Sequence, residues 1–218
     1  MLHPEALTVE TAQVAAPLCQ VLAGSLFVLA GGTALALQLG HRLSVDLDWF
    51  CPPSAWPPDL MKRLSALDLP LVPIAETEGT VHLLVQGVRC SFLAVPVEFG
   101  APLARLHGMP LATPSDIGAM KLVAVSQRGA RKDFVDLHAL LEREDFPALA
   151  TRLYTLYTSP PPNPVHVAKS LVWFEDAERD PMPRLLGERP WPVIKAWFEK
   201  RAKLHTAWLQ QAASQAES

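Results

Sequence analysis

Hydrophobic and polar positions follow two rhythms along this chain, and the change between them divides it. Residues 4–23 carry Leu7, Ala12, Val14, Ala15, Leu18 and Leu22 as a loose apolar stripe with Gly24 behind it, the pattern of a helix. The run LFVLA at 26–30 is short, apolar throughout and closed by Gly31-Gly32, which predicts a buried strand. TALALQL, 33–39, predicts a helix with Thr33 near its N-terminus and Gly40 where a C-terminal glycine belongs. SVDLDWF, 44–50, is the next strand. PPDLMKRLSALDL follows as a short helix, with Pro58 suited to its first turn. Residues 71–99 read as strands: LVPIAET, then TVHLLVQ and VRCSFLAV joined near Gly87 as a hairpin.

Past residue 110 the apolar period becomes helical. TPSDIGAMKLVAVSQRG offers Thr113 as N-cap, Pro114 at the first position, Asp116 three after the cap and Gly129 as a stop. ARKDFVDLHALLERED has Phe134, Leu137, Leu140 and Leu141 on one face. Three further helical stretches follow, one of them opened by Asn163 before Pro164. The boundary falls near residues 108–113, giving a mixed α/β core over 1–110 and a helical lobe over 111–218.

Composition narrows the class. With 218 residues and 50% hydrophobic content the chain is long and apolar enough for a real core. No run of eighteen apolar residues exists, so no membrane span is expected, and MLHPEALTVE lacks the basic start of a secretory signal. The 3 cysteines, Cys19, Cys51 and Cys90, have no metal-ligand spacing, which fits reduced thiols in a cytoplasmic protein. A net charge of −3 gives no global pull on nucleic acid, so any polyanion needs a local basic patch.

Two constellations carry chemistry. In the first, Asp46 and Asp48 alternate with Val45, Leu47 and Trp49, so a strand points both acids to one face, about 6–7 Å apart. Carboxylates so placed suit a shared hard cation such as Mg²⁺. Gly31-Gly32-Thr33 lies at a strand end before a helix, where backbone N–H groups can meet phosphate. Alone, a Gly-Gly is most often a tight turn and an Asp-x-Asp a solvated strand. Here they occur in order, 14 residues apart from Gly32 to Asp46. In the second, Lys121 and Arg128 lie two helical turns apart, and Lys132, Asp133 and Asp136 follow at i,i+3 and i,i+4 spacings. They fit either a salt-bridged helix pair or a cationic wall for a triphosphate. His41 reads as a turn or phosphate-contacting residue, His138 as a packing residue, and Trp173, Trp191, Trp197 and Trp208 as packing residues that could also stack bases.

Gly31-Gly32-Thr33-Ala34-Leu35, HRLSVDLDWF and DIGAMKLVAVSQRGARKDFVDL together resemble the AbiEii/AbiGii-type nucleotidyltransferase toxins, of the DNA polymerase beta-like nucleotidyltransferase superfamily. The resemblance covers roughly residues 25–145 and continues more weakly through HVAKSLVWFEDAERDPMP. It implies an α+β fold: a minimal polymerase beta-like mixed sheet with flanking helices, then a helical C-terminal lobe completing the active-site cleft. It also implies nucleotide transfer from an NTP, with Mg²⁺ or Mn²⁺, to an acceptor such as RNA or tRNA, opposed by a cognate antitoxin. Carried over by position, Asp46 and Asp48 hold metal, and Lys121 and Asp133 complete the catalytic set. Gly31, Gly32, Thr33, Arg42, Ser44, Arg128 and Lys132 face phosphate or support those that do. One position departs from the superfamily. A third carboxylate usually stands on the strand beside Asp-x-Asp; Ser91 occupies that place, and Glu98 is too far along. The general-base role is then unfilled. That keeps open a catalytically weakened nucleotide- or RNA-binding protein, and beside it a small-molecule nucleotidyltransferase of the antibiotic-modifying type.

Overall fold

The structure, a computed structural model, describes residues 1–216. It divides after Thr113 into two compact units.

The first unit is built on a five-stranded mixed sheet. Its strands are β1 (Val28–Ala30), β2 (Leu47–Cys51), β3 (Leu71–Thr77), β4 (Thr80–Val85) and β5 (Val88–Ala94), in the order β1-β2-β5-β4-β3. Only β2 and β5 run parallel; the other neighbours are antiparallel. Period-two alternation sorts the side chains. Leu47, Trp49, Cys90, Phe92, Val81 and Leu83 fill the buried face, with Trp49 and Phe92 fully shut from solvent. The other face carries Asp48, Ser91, His82 and Thr80, and is less deeply buried. β4 and β5 are joined by Gln86 and Gly87, both at positive φ, the two-residue turn whose twist suits a hairpin. β3 is an exposed edge, irregular between Pro73 and Ala75, which suits a strand that offers no ladder donor at proline.

Helices α1 (Val9–Val21), α2 (Gly31–Leu39) and α3 (Leu60–Ser65) pack on this sheet or on one another. The single helix expected over 4–23 is in fact a 3-10 turn at Pro4–Ala6 followed by α1. The break has a local cause. Thr8 is extended and its side chain accepts from the Thr11 N–H at 3.2 Å, starting a new helix, while Leu7 bridges to Ser44. α2 opens two residues earlier than expected, at Gly31, and ends at Gly40 in the left-handed region as expected. The strand expected over 44–50 starts three residues later, at Leu47, and runs one residue further, to Cys51. The short β6 (Arg105–Leu106) and β7 (Met109–Pro110) form a hairpin that the periodicity does not reveal.

The second unit is helical: α4 (Pro114–Arg128), α5 (Arg131–Leu141), α6 (Phe146–Leu156), α7 (Pro164–Ser170), α8 (Glu175–Arg179) and α9 (Trp191–Ala216). Asn163 caps α7 by accepting from the His166 N–H at 3.0 Å. α4 packs on α5, α6 and α7, and α9 on α5, α6 and α7. Phe134 and Phe198 of its core form an aromatic cluster with the half-buried Phe174 and Trp191, mostly edge to face. Asp116, fully buried on α4, is neutralised by Arg152 of α6 at 2.5 Å. Among the described residues no helix is long and apolar enough to cross a membrane.

Candidate active site

Asp48 stands near the start of β2, and Asp46 immediately precedes that strand. Both are half-buried while Leu47 and Trp49 between and after them are fully buried, the alternation expected of one acidic and one apolar face. Asp48 pairs in register with Ala30, the last residue of β1, so it lies beside the first turn of α2. The approach is close. A Cβ placed on Gly31 would sit 2.8 Å from Asp48 Oδ2, and Gly31 has a φ of +66°, so the position requires glycine twice over. Gly31 and Gly32 remain half-exposed, whereas α2 from Thr33 to Leu37 is buried. The N-terminal N–H groups of α2 thus open where the acid pair begins.

The residues around this pair brace it. Thr33, 2% exposed, donates its hydroxyl to the Asp46 carbonyl and shares a 2.8 Å hydrogen bond with Ser44 Oγ. Arg42 donates Nη1 to Ser44 Oγ at 3.3 Å and to the Leu43 carbonyl at 2.9 Å. The Ser44 N–H donates to the Ala6 carbonyl at 2.8 Å. Thr33, Arg42 and Ser44, expected near phosphate, are therefore buried side chains that fix the backbone of the acidic segment. The field of the pair reaches Cys90 on the neighbouring strand. Burial pushes its thiol up to about 12, with Asp48 and Asp46 adding to the rise.

Ser91 lies directly across from Asp48 on β5, and His82 on β4 lies directly across from Ser91. One row of the sheet face therefore reads Asp48, Ser91, His82. His82 Nδ1 is buried, and among the described residues it has no hydrogen-bond partner. Sequence reasoning passed over His82, although counting back from the two-residue turn at Gln86-Gly87 pairs it with Ser91.

The donor set decides what the site can hold. Asp46 and Asp48 are hard oxygen ligands, and among the described residues no group of three or more His, Cys, Asp or Glu is gathered for a metal. Two carboxylates beside a helix N-terminus fit Mg²⁺ or Mn²⁺, which take one or two carboxylates and complete their shell with water and substrate phosphate.

The second constellation lies within the helical unit. Lys121 Nζ donates to Asp133 Oδ1 at 2.7 Å and contacts Asp136 Oδ2 at 2.6 Å. Arg128 grips the Asp133 carboxylate with two hydrogen bonds, Nε to Oδ2 at 2.8 Å and Nη2 to Oδ1 at 3.0 Å. Asp133 and Asp136 are fully buried and the Lys121 side chain is 6% exposed, while that of Arg128 is 56% exposed. Burial alone would push the Asp133 carboxyl up, but the Lys121 ammonium and Arg128 guanidinium outweigh it and hold it below its ordinary value. Lys132, next to Asp133 on α5, is exposed. Both readings of this cluster have an anchor here: it is a neutral buried ion network, and one of its cations reaches the surface.

The sequence profile of the family described as "Nucleotidyl transferase AbiEii toxin, Type IV TA system" matches residues 14–81 and 89–195. An uncharacterised protein of Aquifex aeolicus (strain VF5), aq_aa25, is 33% identical over 187 residues, spanning 81% of this chain and 86% of that one. Among solved structures, JHP933 from Helicobacter pylori superposes with a TM-score of 0.56 at 20% identity, covering 100% of this chain and 98% of the other. MenT4, a nucleotidyltransferase toxin from Mycobacterium tuberculosis H37Rv, gives 0.59 at 18% identity, covering 94% and 84%. At those identities the structural likeness speaks for the fold, a mixed sheet with flanking helices and a C-terminal helical lobe. The matched profile, which spans most of the chain, settles the family: this chain belongs to the AbiEii nucleotidyltransferase toxin family.

Proposed function

We propose that this protein transfers a nucleotidyl group from an NTP to an RNA acceptor, tRNA being the type expected, as the toxin of a toxin–antitoxin pair. The observation that carries the proposal is the seating of Asp48 against Gly31. The Asp48 carboxylate lies against the first turn of a helix suited to phosphate, and Asp46 stands two residues before it. Acids and a polyphosphate repel one another, so the arrangement makes sense with a cation between them. Held by Asp46 and Asp48, a divalent ion would supply charge neutralisation of the α-phosphate and the leaving pyrophosphate. In the transfer, an acceptor hydroxyl oxygen forms a bond to the α-phosphorus and the α–β phosphoanhydride bond breaks. Pyrophosphate leaves with the bonding electrons, and the hydroxyl proton passes to water.

In this reading Gly31 and Gly32 receive phosphate through the backbone, with Thr33, Arg42 and Ser44 holding the acidic segment in place. Lys121 and Asp133 form the second part of the machinery, with Asp136, Arg128 and Lys132 in support. Ser91, directly across from Asp48, favours one alternative: a protein of the same fold that binds nucleotide or RNA with weak turnover. The test is incubation of purified protein with total RNA, Mg²⁺ and each labelled NTP in turn. The proposal expects label on RNA from the wild type and none from Asp48→Asn. Tight binding of Mg²⁺–NTP with no transfer to any RNA would select the alternative. Transfer to an aminoglycoside-like small molecule instead of RNA would replace the acceptor class.

A further inference from the structure

Among the described residues, Trp191, Trp197 and Trp208 of the helical region make ring contacts, as packing residues should, and Trp173 makes none. Trp173 is 59% exposed. It lines a groove of about 260 Å³ whose other side chains include Arg128, His166, Lys169 and Asp176.

The groove's geometry follows from α7 and the turn after it. His166 and Lys169 are spaced i, i+3 on one face of α7, and Trp173 lies just past that helix, lining the same groove. His166 Nε2 contacts the Ser126 carbonyl at 3.0 Å, which pins this face to the end of α4, where Arg128 stands. The charge around it is uneven. Asp176 has Arg179 at 3.8 Å, Glu175 has Arg179 at 2.6 Å, and Glu178 is taken by Lys195 at 2.5 Å and Arg131 at 3.4 Å. Lys169 is exposed and meets no acidic side chain among the described residues. An exposed indole thus lines the same groove as the Lys169 ammonium and the Arg128 side chain, which is 56% exposed while it holds Asp133.

We propose that this groove docks a single-stranded stretch of the RNA acceptor, one base stacking on Trp173 and the flanking phosphates meeting Lys169 and Arg128. The inference rests on the RNA-acceptor reading above and gives it a place on the surface. Size and chemistry favour this occupant. The groove has room for one base, and one aromatic anchor between cations suits stacking plus phosphate contact. A docking protein helix would need apolar anchors at successive turns, and this face offers one.

The test is fluorescence anisotropy with a labelled mixed-sequence single-stranded RNA 12-mer, on wild type, Trp173→Ala, Trp173→Phe and Lys169→Ala. Trp173→Ala is expected to weaken binding about ten-fold or more, because base–aromatic stacking contributes about 1–3 kcal/mol. Trp173→Phe should recover most of it. Lys169→Ala should weaken binding and flatten its salt dependence by about one phosphate contact, a change in slope near 0.7. Both side chains are exposed, so circular dichroism should show the variants folded as the wild type. Wild-type affinity in all three variants overturns the proposal, as does absence of RNA binding by the wild type. Affinity for Mg²⁺–NTP is measured on the same proteins. A parallel loss there would assign the groove to NTP and overturn the RNA assignment. Transfer of label to RNA is read separately. Transfer that persists unchanged in Trp173→Ala would sink the groove while leaving the proposed function standing; no transfer by the wild type would sink that function.

Discussion

Replacing Lys121 by methionine tests whether the α4–α5 ion network holds the helical unit together. The wild-type ammonium lies 2.7 Å from Asp133 and 2.6 Å from Asp136, with both carboxylates fully buried. At an effective dielectric near 20, each contact is worth roughly 6 kcal/mol of gross attraction. Most of that offsets the desolvation of three charged groups, so the net worth of the network is far smaller than the sum. Removing the cation alone is different. Asp133 retains Arg128, but Asp136 loses the ammonium while staying buried. Loss of one partner from a buried pair costs about 3–5 kcal/mol. For a unit of about 100 residues that is near half of its whole stability.

Urea unfolding followed by far-ultraviolet circular dichroism reads the loss, on wild type, Lys121→Met, Asp136→Asn and the double variant. Lys121→Met should lose about 3–5 kcal/mol at pH 7. The double variant should be more stable than the Lys121→Met single, because the charge left behind is gone. The cycle should show coupling of at least about 1 kcal/mol. A loss under about 1 kcal/mol with additive singles would refute the reasoning, placing the network among surface pairs that contribute little.

Three other outcomes follow from the structure. Gly31→Ala should cost about 1–2 kcal/mol for a left-handed non-glycine residue, and the added methyl, 2.8 Å from Asp48 Oδ2, should cut nucleotide transfer at least ten-fold; unchanged turnover would mean Asp48 need not sit there. His205 is buried on α9, stacked 4.0 Å from Phe146, and burial lowers its imidazole to about 4, so it folds neutral. Its folded value lies below the unfolded one, so stability is fully present above about pH 6.5 and declines as pH falls toward 4. His205→Phe should flatten thermal stability across that window, and a slope identical to wild type would refute the assignment. Asp133, held below its ordinary value, adds stability at neutral pH that is lost as pH falls through its folded value. Asp133→Asn should therefore lower thermal stability at pH 7 and narrow the gap to wild type in acid, and a pH-independent gap would contradict it.

Local signals are legible in the sequence where one residue type suffices. Gly40 ends α2 in the left-handed region, Gly129 follows α4 at a φ of +56°, and Asn163 caps α7. The order strand, Gly-Gly, helix, acidic strand came from apolar runs with sharp ends. Partners were harder to see. Thr33, Arg42 and Ser44 have the chemistry of phosphate ligands, yet their side chains meet one another and the Asp46 carbonyl, because the chain folds residues 42–46 back beside α2. Asp116 reads as a helix-start residue, while its charge is met by Arg152, 36 positions on. The β6–β7 hairpin has two-residue strands, too short to show a period, and its turn at His107-Gly108 is marked only by positive φ. Spacing predicted packing for all four tryptophans and could not single out Trp173, whose exposure depends on where α7 ends.

The most direct measurement is the transfer of label from an α-labelled NTP to total RNA by the wild type, Asp46→Asn and Asp48→Asn, each first shown to unfold at the wild-type temperature. If the two acids beside Gly31 carry the chemistry, the wild type labels RNA and both amide variants fall by a thousand-fold or more while remaining folded. Labelling by either folded variant at the wild-type rate would contradict it.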